Sequence, residues 1–406
     1  MRMGTRTVAV CAVICLHAGP IAAQGRSITL EDVLARAREQ APQIVSARLA
    51  LEEARGRLAG ASVRFQANPE LDASLGNRNA PETRYTDFAL GLGQRFEPGA
   101  RRSARIAGAN AAIGQGSANI DEVTRTVLRL AASAYYRAVH ANERVKLLNA
   151  TQELAQSVYA IADRRFKAGD IAVLDVNIAR ASLARIKAER EGAEASKALS
   201  LGELRQLLRL EPDVGVEGSL ARTGEVALST ALDAAVQRPD LRGLEAAIQE
   251  AEAELRLGVS LSKPEYGVGV RYAREEGDQI IQGGLTVTLP MFSKGQEQRA
   301  VGTARAARLR TELEAARTRV QLEVRAAFDA YGRRLAAVSV LEADAMPGLA
   351  ENEQLTTRSF EVGQLGLPEL LLIRREILDT RFQYLDALLE AALARIDLDA
   401  SAALLR

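Results

Sequence analysis

Arg165-Phe166-Lys167-Ala168-Gly169-Asp170-Ile171-Ala172-Val173-Leu174-Asp175 returns later in the chain as Ser359-Phe360-Glu361-Val362-Gly363-Gln364-Leu365-Gly366-Leu367-Pro368-Glu369. The Phe, Gly and carboxylate positions of the two copies each lie 194 residues apart. Upstream, Asn68-Pro69-Glu70 pairs with Lys263-Pro264-Glu265 at 195, and Pro42 with Pro239 at 197. Anchors at so steady a spacing describe a duplicated unit of about 195 residues, too long for a solenoid module. The chain therefore reads as two similar halves of one pseudo-symmetric body, 24–215 and 216–406, preceded by a leader at 1–23.

The leader reads as an export signal. Arg2 and Arg6 are its positive start, Val8 to Leu16 its apolar run, and Ile21-Ala22-Ala23 its small-residue cleavage site. Bulky Val13 and Ile14 precede Cys15 where a lipoprotein leader needs small residues, so no lipid is expected there. Removal of the leader takes Cys11, Cys15 and His17, leaving no thiol and one histidine, His140. No disulfide, no Cys- or His-rich metal site and no cofactor is then expected. With 53 basic against 52 acidic residues, the chain has no charge surplus for a nucleic-acid partner. One histidine also leaves no Ser-His-Asp set, and no Gly-rich phosphate loop is present, so the chain is not read as an enzyme.

Each half reads as helix, two strands, long helix, turn, helix. In the first, the helix covers about 28–66 and is kinked or divided at Pro42, the strands lie near 71–96, and the long helix spans 102–168 with its return at 173–210. In the second, the corresponding segments are 228–262, 266–289, 296–362 and 368–405. Length decides what such helices can build. Some 65 helical residues extend roughly 100 Å, against a radius of about 20 Å for a compact domain of this size. Rods of that length make a tube, a stalk or a coiled coil.

The strands alternate. Phe88, Leu90 and Leu92 interleave with Ala89, Gly91 and Gly93; Val268 and Val270 with Gly267, Gly269 and Arg271; Leu285 and Val287 with Gly284, Thr286 and Thr288. One apolar and one small or polar face, over nine or ten residues, fits a membrane-spanning barrel strand, and equally a sheet packed on a helix. Tyr85, Phe88, Phe96, Tyr266, Tyr272 and Phe292 fall in or beside these segments, as interface girdles require. Four strands cannot close, and open edges are not tolerated in lipid, so on the membrane reading other copies of the chain must complete the sheet.

With these features the chain resembles the TolC family of outer-membrane efflux channels over nearly all of its length past the leader. The carriers are Ile28-Thr29-Leu30-Glu31-Asp32-Val33-Leu34-Ala35, its weaker copy Ala227-Leu228-Ser229-Thr230-Ala231-Leu232, Asn68-Pro69-Glu70-Leu71, and the two Phe-x-x-Gly turns. Phe96-Glu97-Pro98-Gly99-Ala100-Arg101, with Asn68-Pro69, is similar to the branch serving heavy-metal (cobalt-zinc-cadmium type) resistance pumps. The resemblance implies a mostly α fold with a small transmembrane β part. Long antiparallel helices would form a trimeric helical barrel in the periplasm, and four strands per chain would enter a shared 12-stranded barrel in the outer membrane of a Gram-negative bacterium. It also implies the partners: two further copies, outer-membrane lipid, a periplasmic adaptor and an inner-membrane pump of the RND type. The cargo would be metal cations or drugs. The competing readings are the outer-membrane part of a type I protein secretion system, and a periplasmic adaptor, which would carry one hairpin and lack the four strands.

The family's working residues map onto the hairpin tips and strands. Phe166, Gly169, Phe360, Gly363 and Leu365 would meet adaptor or pump. Asp175, Glu369 and Leu372 would line the periplasmic gate, and Phe88, Leu90, Leu92, Val268, Val270, Leu285 and Val287 would face lipid. Plainer roles stand beside these. Glycine suits any tight helix reversal, a first-turn carboxylate is favoured by the helix dipole alone, and both phenylalanines fit as coiled-coil packing knobs. Family members often carry a second acid where this chain has Leu372, so a hydrophobic constriction replaces a double acidic ring.

Overall fold

The computed structural model describes residues 27–79 and 84–405; the leader with its two cysteines and His17, and the tip of the first strand hairpin at 80–83, lie outside them. After a two-residue strand β1 (Ser27–Ile28), Thr29 starts helix α1 (Leu30–Gln40) with a reciprocal cap. Asp32 N–H donates to the Thr29 hydroxyl at 3.3 Å, and Thr29 N–H donates to the Asp32 carboxylate at 3.0 Å. Of the two outcomes open at Pro42, a kink or a division of the helix over 28–66, the structure shows division: Pro42 takes the first position of α2 (Pro42–Ser62). Its ring pushes Ala41 into the extended region, and helix α1 stops there. The second half repeats the device: α5 (Leu228–Ala235) ends before extended Arg238, and α6 (Pro239–Ser260) begins on proline.

Strands β2 (Glu70–Asn79) and β3 (Arg84–Phe96) lead into α3 (Gly99–Ala168), 70 residues without a break and about 105 Å long. It returns as α4 (Val173–Leu208). In the second half β5 (Glu265–Glu275) and β6 (Asp278–Thr288) are joined by Glu276-Gly277, both at positive φ, the two-residue turn that suits strand twist. The following long helix is not uniform. Helix α7 (Gln296–Val340) widens into one π-helical turn at Leu341–Ala345 and resumes as α8 (Met346–Glu361). Pro347 explains this, because its ring lacks an N–H and crowds the carbonyl one turn back, and the wider turn absorbs both. Helix α3 has no proline beyond its start and no such turn. The chain closes with α9 (Leu367–Ser401).

The helices form a wall. Near the strands α2 and α6 flank α3, and α7 lies beyond α6; farther away α4 and α9 take those flanking places. Contact is close because the buried faces are small: Ala104, Ala109, Ala111 and Ala118 on α3, Ala247, Ala251 and Ala253 on α6. At the α6–α7 crossing the backbones touch. A Cβ on Gly302 would sit 2.8 Å from the Leu255 nitrogen, and one on Gly258 2.8 Å from that of Arg299.

The link between the halves crosses mid-wall and is tied down on both sides. Strand β4 (Gly215–Val216) pairs in parallel with β1. Tyr135 and Tyr331, buried at equivalent places in α3 and α7, donate their hydroxyls at 2.6 Å to the carbonyls of Glu217 and Gly224. The Arg238 guanidinium is buried between α6, α7 and the end of α9. It donates to Asp240 at 2.7 and 3.1 Å, to Glu323 at 2.8 Å and to the Ser401 carbonyl at 3.2 Å. Burial alone would raise the Asp240 carboxyl, but the bonds and charge of Arg238 prevail and hold it below the usual range. Tyr331→Phe or Tyr135→Phe should each cost about 1 kcal/mol, read as matching falls in the thermal midpoint of the helical signal. No change in either would remove these bonds from the account of the link.

Candidate functional site

Two regions carry the candidate residues: the sheet at one end of the wall and the two hairpin tips at the other. The sheet is antiparallel in the order β2-β3-β5-β6, so the halves meet at β3–β5 and both outer strands keep an unpaired edge. Register sorts its residues by face. Leu71, Leu92 and Val270 form one row, Leu90, Tyr272 and Ile281 the next, and Val268 stands opposite Leu285. Phe88, Leu90, Leu92, Val268, Val270, Leu285 and Val287 all stand exposed on this one face. The opposite face carries Asp72, Arg271 and Gln282 in one row and Gly93, Gly269 and Gly284 in another. An outward apolar face that none of the described residues covers is the reverse of what a sheet lying on its own helices would show.

Ion pairs fasten the sheet to the helices. The two motif glutamates have different tasks: Glu70 pairs with Arg95 across β2 and β3 within the sheet, and Glu265 of β5 pairs with buried Arg101 in the first turn of α3. Glu97 pairs with Arg105 one turn further on. The sequence reading quoted both motifs without seeing these partners. The available signal was Arg101, five residues past Phe96 at the end of the second strand.

At the far end the two tips match bond for bond. Gly169 N–H donates to the Phe166 carbonyl at 2.9 Å and Asp170 N–H to that of Arg165 at 2.9 Å; Gly363 N–H donates to Phe360 at 3.2 Å and Gln364 N–H to Ser359 at 2.9 Å. The two glycines have φ of 86° and 75°, in the left-handed region where a side chain is strained. Asp175 and Glu369 both occupy the third position of their return helices. The Glu369 carboxylate reaches back to accept the Gly366 N–H at 3.1 Å, so it caps α9.

The environments differ. Phe360 is only 5% exposed, within a cluster of Val158, Ala162, Ala179, Leu367 and Leu370, and Leu365 packs against its edge. Phe166 is 41% exposed, so only one of the two phenylalanines is a buried knob. The guanidinium of Arg165 lies 5.1 Å from the Phe360 ring, beside the end of α8, and joins the tips. Leu372, one turn past Glu369 on the same side of α9, is 68% exposed. Glu369 and Leu372 thus share one exposed stripe, while Asp175 stands half-buried on the neighbouring hairpin.

The outer membrane efflux protein family matches residues 33–208. The chain is 25% identical over 376 residues to the cobalt-zinc-cadmium resistance protein CzcC of Cupriavidus metallidurans, covering 89% of this chain and 86% of CzcC. Among solved structures, CusC superposes with a TM-score of 0.75 at 17% identity, over 92% of this chain and 91% of that one. The outer membrane channel CmeC of Campylobacter jejuni superposes with a TM-score of 0.74 at 16% identity, over 92% and 85%. This chain itself has two hairpins and a four-stranded sheet, where the adaptor reading required one hairpin and no such strands.

Proposed function

We propose that this chain, a member of the outer membrane efflux protein family, works as a trimeric conduit through the outer membrane of a Gram-negative bacterium. It passes cargo received from an inner-membrane pump and a periplasmic adaptor to the exterior. The sheet carries the reading. Among the described residues its apolar face meets nothing, and its edges β2 and β6 are both open. Lipid does not tolerate open edges, so β2 of one copy pairs with β6 of the next. Three copies give twelve strands, an even number within the range of outer-membrane barrels. The helices continue the tube for about 105 Å, far beyond the roughly 30 Å core of a bilayer.

The conduit has no energy source of its own; that belongs to the pump. The likeness to CzcC, a cobalt-zinc-cadmium resistance protein, supports divalent transition-metal cations as cargo, and the resemblance to the TolC family makes an RND-type pump the partner proposed. Hairpin tips bearing Phe166, Gly169, Phe360, Gly363 and Leu365 dock on the adaptor or pump, and Asp175, Glu369 and Leu372 from three chains ring the periplasmic mouth. A carboxylate ring there favours cations. Glu369→Gln keeps an oxygen for the Gly366 N–H and removes only the charge. It should shift the reversal potential in a salt gradient toward zero, while the helical signal stays unchanged. An unaltered reversal potential would take Glu369 out of the conduction path.

The assembly itself is tested in cells lacking their own channel but supplied with a matching adaptor and pump. The chain should appear in outer-membrane fractions as a heat-modifiable trimer and restore resistance to cobalt, zinc or cadmium. Recovery as a soluble periplasmic monomer would defeat the proposal; a trimer that restores only drug resistance would defeat the cargo alone.

A further inference from the structure

Between the two hairpins, where α3, α4, α8 and α9 meet, lies a cavity of about 40 Å³ bordered by four arginines and one carboxylate. A water needs about 10–15 Å³, so there is room for a monatomic ion with a water or two. Arg185 comes from α4, Arg374, Arg375 and Arg381 from α9, and the carboxylate, Glu353, from α8. Helix α3 adds no charge; its contribution is Thr151, Leu154 and Ala155.

The charges do not balance. Glu353 is engaged by Arg381 at 2.6 Å. Arg185 and Arg375 lean outward toward Glu189 and Asp379, at 3.8 and 3.6 Å. Arg374 has no ion-pair partner among the described residues. Its Nη2 donates to the Thr357 hydroxyl at 3.2 Å, its Nη1 lies 3.5 Å from the Leu154 carbonyl, and its Nε is buried with no acceptor. Burial draws this guanidinium down from its ordinary value, with Glu353 opposing only in part. Isolating a cation this way costs several kcal/mol unless an anion accompanies it. The equivalent residue of the first half, Arg180, stays exposed beside the Tyr159 ring, so the arrangement belongs to one hairpin and does not follow from the duplication.

We propose that this cavity binds a halide ion, chloride in the cell, with Arg374 as its principal ligand and Arg185, Arg375 and Arg381 supplying the surrounding positive field. The rest of the wall is mainly aliphatic (Leu154, Ile186, Leu371, Ile377 and Leu378) with two hydroxyls, Thr151, which already donates to the Leu147 carbonyl, and Ser182. So small a space suits a monatomic ion better than an oxyanion needing a full shell of donors. The groups lining the cavity come from both halves of the chain, Arg374 from α9 and Arg185 from α4 among them, so the ion sits at the seam between the α3–α4 and α8–α9 hairpins.

The test is crystallographic. Crystals of the purified full chain grown in sodium bromide should show an anomalous peak in the cavity against the Arg374 guanidinium. Arg374→Gln should remove it, and Glu353→Gln, which takes away the one carboxylate at the site, should raise its occupancy. The second variant keeps the question decidable if the first fails to assemble. No bromide peak in the wild-type cavity would overturn the proposal. So would a peak unaffected by either substitution, or tetrahedral density that bromide does not displace.

Discussion

Val270→Arg should abolish assembly in the outer membrane, while Gln282→Arg, one residue away across the sheet's register, should leave it largely intact. Val270 sits in the middle row of the exposed apolar face, beside Leu92 and opposite Gly283. Arginine at the centre of a lipid-facing barrel strand costs about 2–4 kcal/mol, and three symmetric copies would bring that to about 6–12 kcal/mol per trimer. Gln282 is the registered partner of Arg271 on the other face, which already carries Asp72 and Arg271. A second arginine there faces a like charge, worth below about 1 kcal/mol in the wet interior of a barrel. Heat-modifiable trimer in membrane fractions reads both variants. Equal assembly of the two, or loss only of Gln282→Arg, would mean that the apolar face does not meet lipid.

That contrast rests on a pattern legible in the residues themselves. Alternation in 85–96 and 266–289 places each side chain by period two, and register carries the sorting across strands without exception at Phe88, Leu90, Leu92, Val268, Val270, Leu285 and Val287. The length of α3 was equally open to reading, since no proline falls between Gly99 and Ala168. Local pattern failed where tertiary partners decide the outcome. Nothing near Ile28 marks it as a strand, because its partner Val216 lies in the distant link. Pro42 was legible as a kink or division of the helix over 28–66, but the segment over 228–262 reads as a single helix and is divided at Pro239, where the preceding residue, not the apolar period, sets the break. Tyr135 and Tyr331 repeat 196 residues apart, close to the 194 of the hairpin motifs, yet as aromatics in alanine-rich helices they carry no signal until their acceptors are seen. The π turn was half visible: Pro347-Gly348 announces a fault in the helix but not that the chain widens around it. Arg374 was invisible, since only the packing of four helices shows that no carboxylate reaches it.

Leu372→Asp is expected to open the periplasmic mouth, raising single-channel conductance several-fold, with Leu372→Asn giving a smaller rise. Glu369 and Leu372 lie on consecutive turns of α9, exposed toward the same side and beyond the cluster around Phe360 that holds the tip. In a trimer with α9 turned to the axis, three leucines make a constriction that sheds water, just past a ring of carboxylates. Either polar substitution removes the dewetting, and Asn does so without charge. Aspartate adds three like charges about one helical turn from the Glu369 ring, and their repulsion in a confined, poorly solvated space drives the tips apart. The α9 cap is untouched, because it depends on Glu369 and the Gly366 N–H. Recordings in planar bilayers separate the two effects: a rise in both variants measures wetting, and the excess in the aspartate measures repulsion. Wild-type conductance in both would place Leu372 away from the axis, and the closed mouth would then have to be built by the other hairpin, around Asp175.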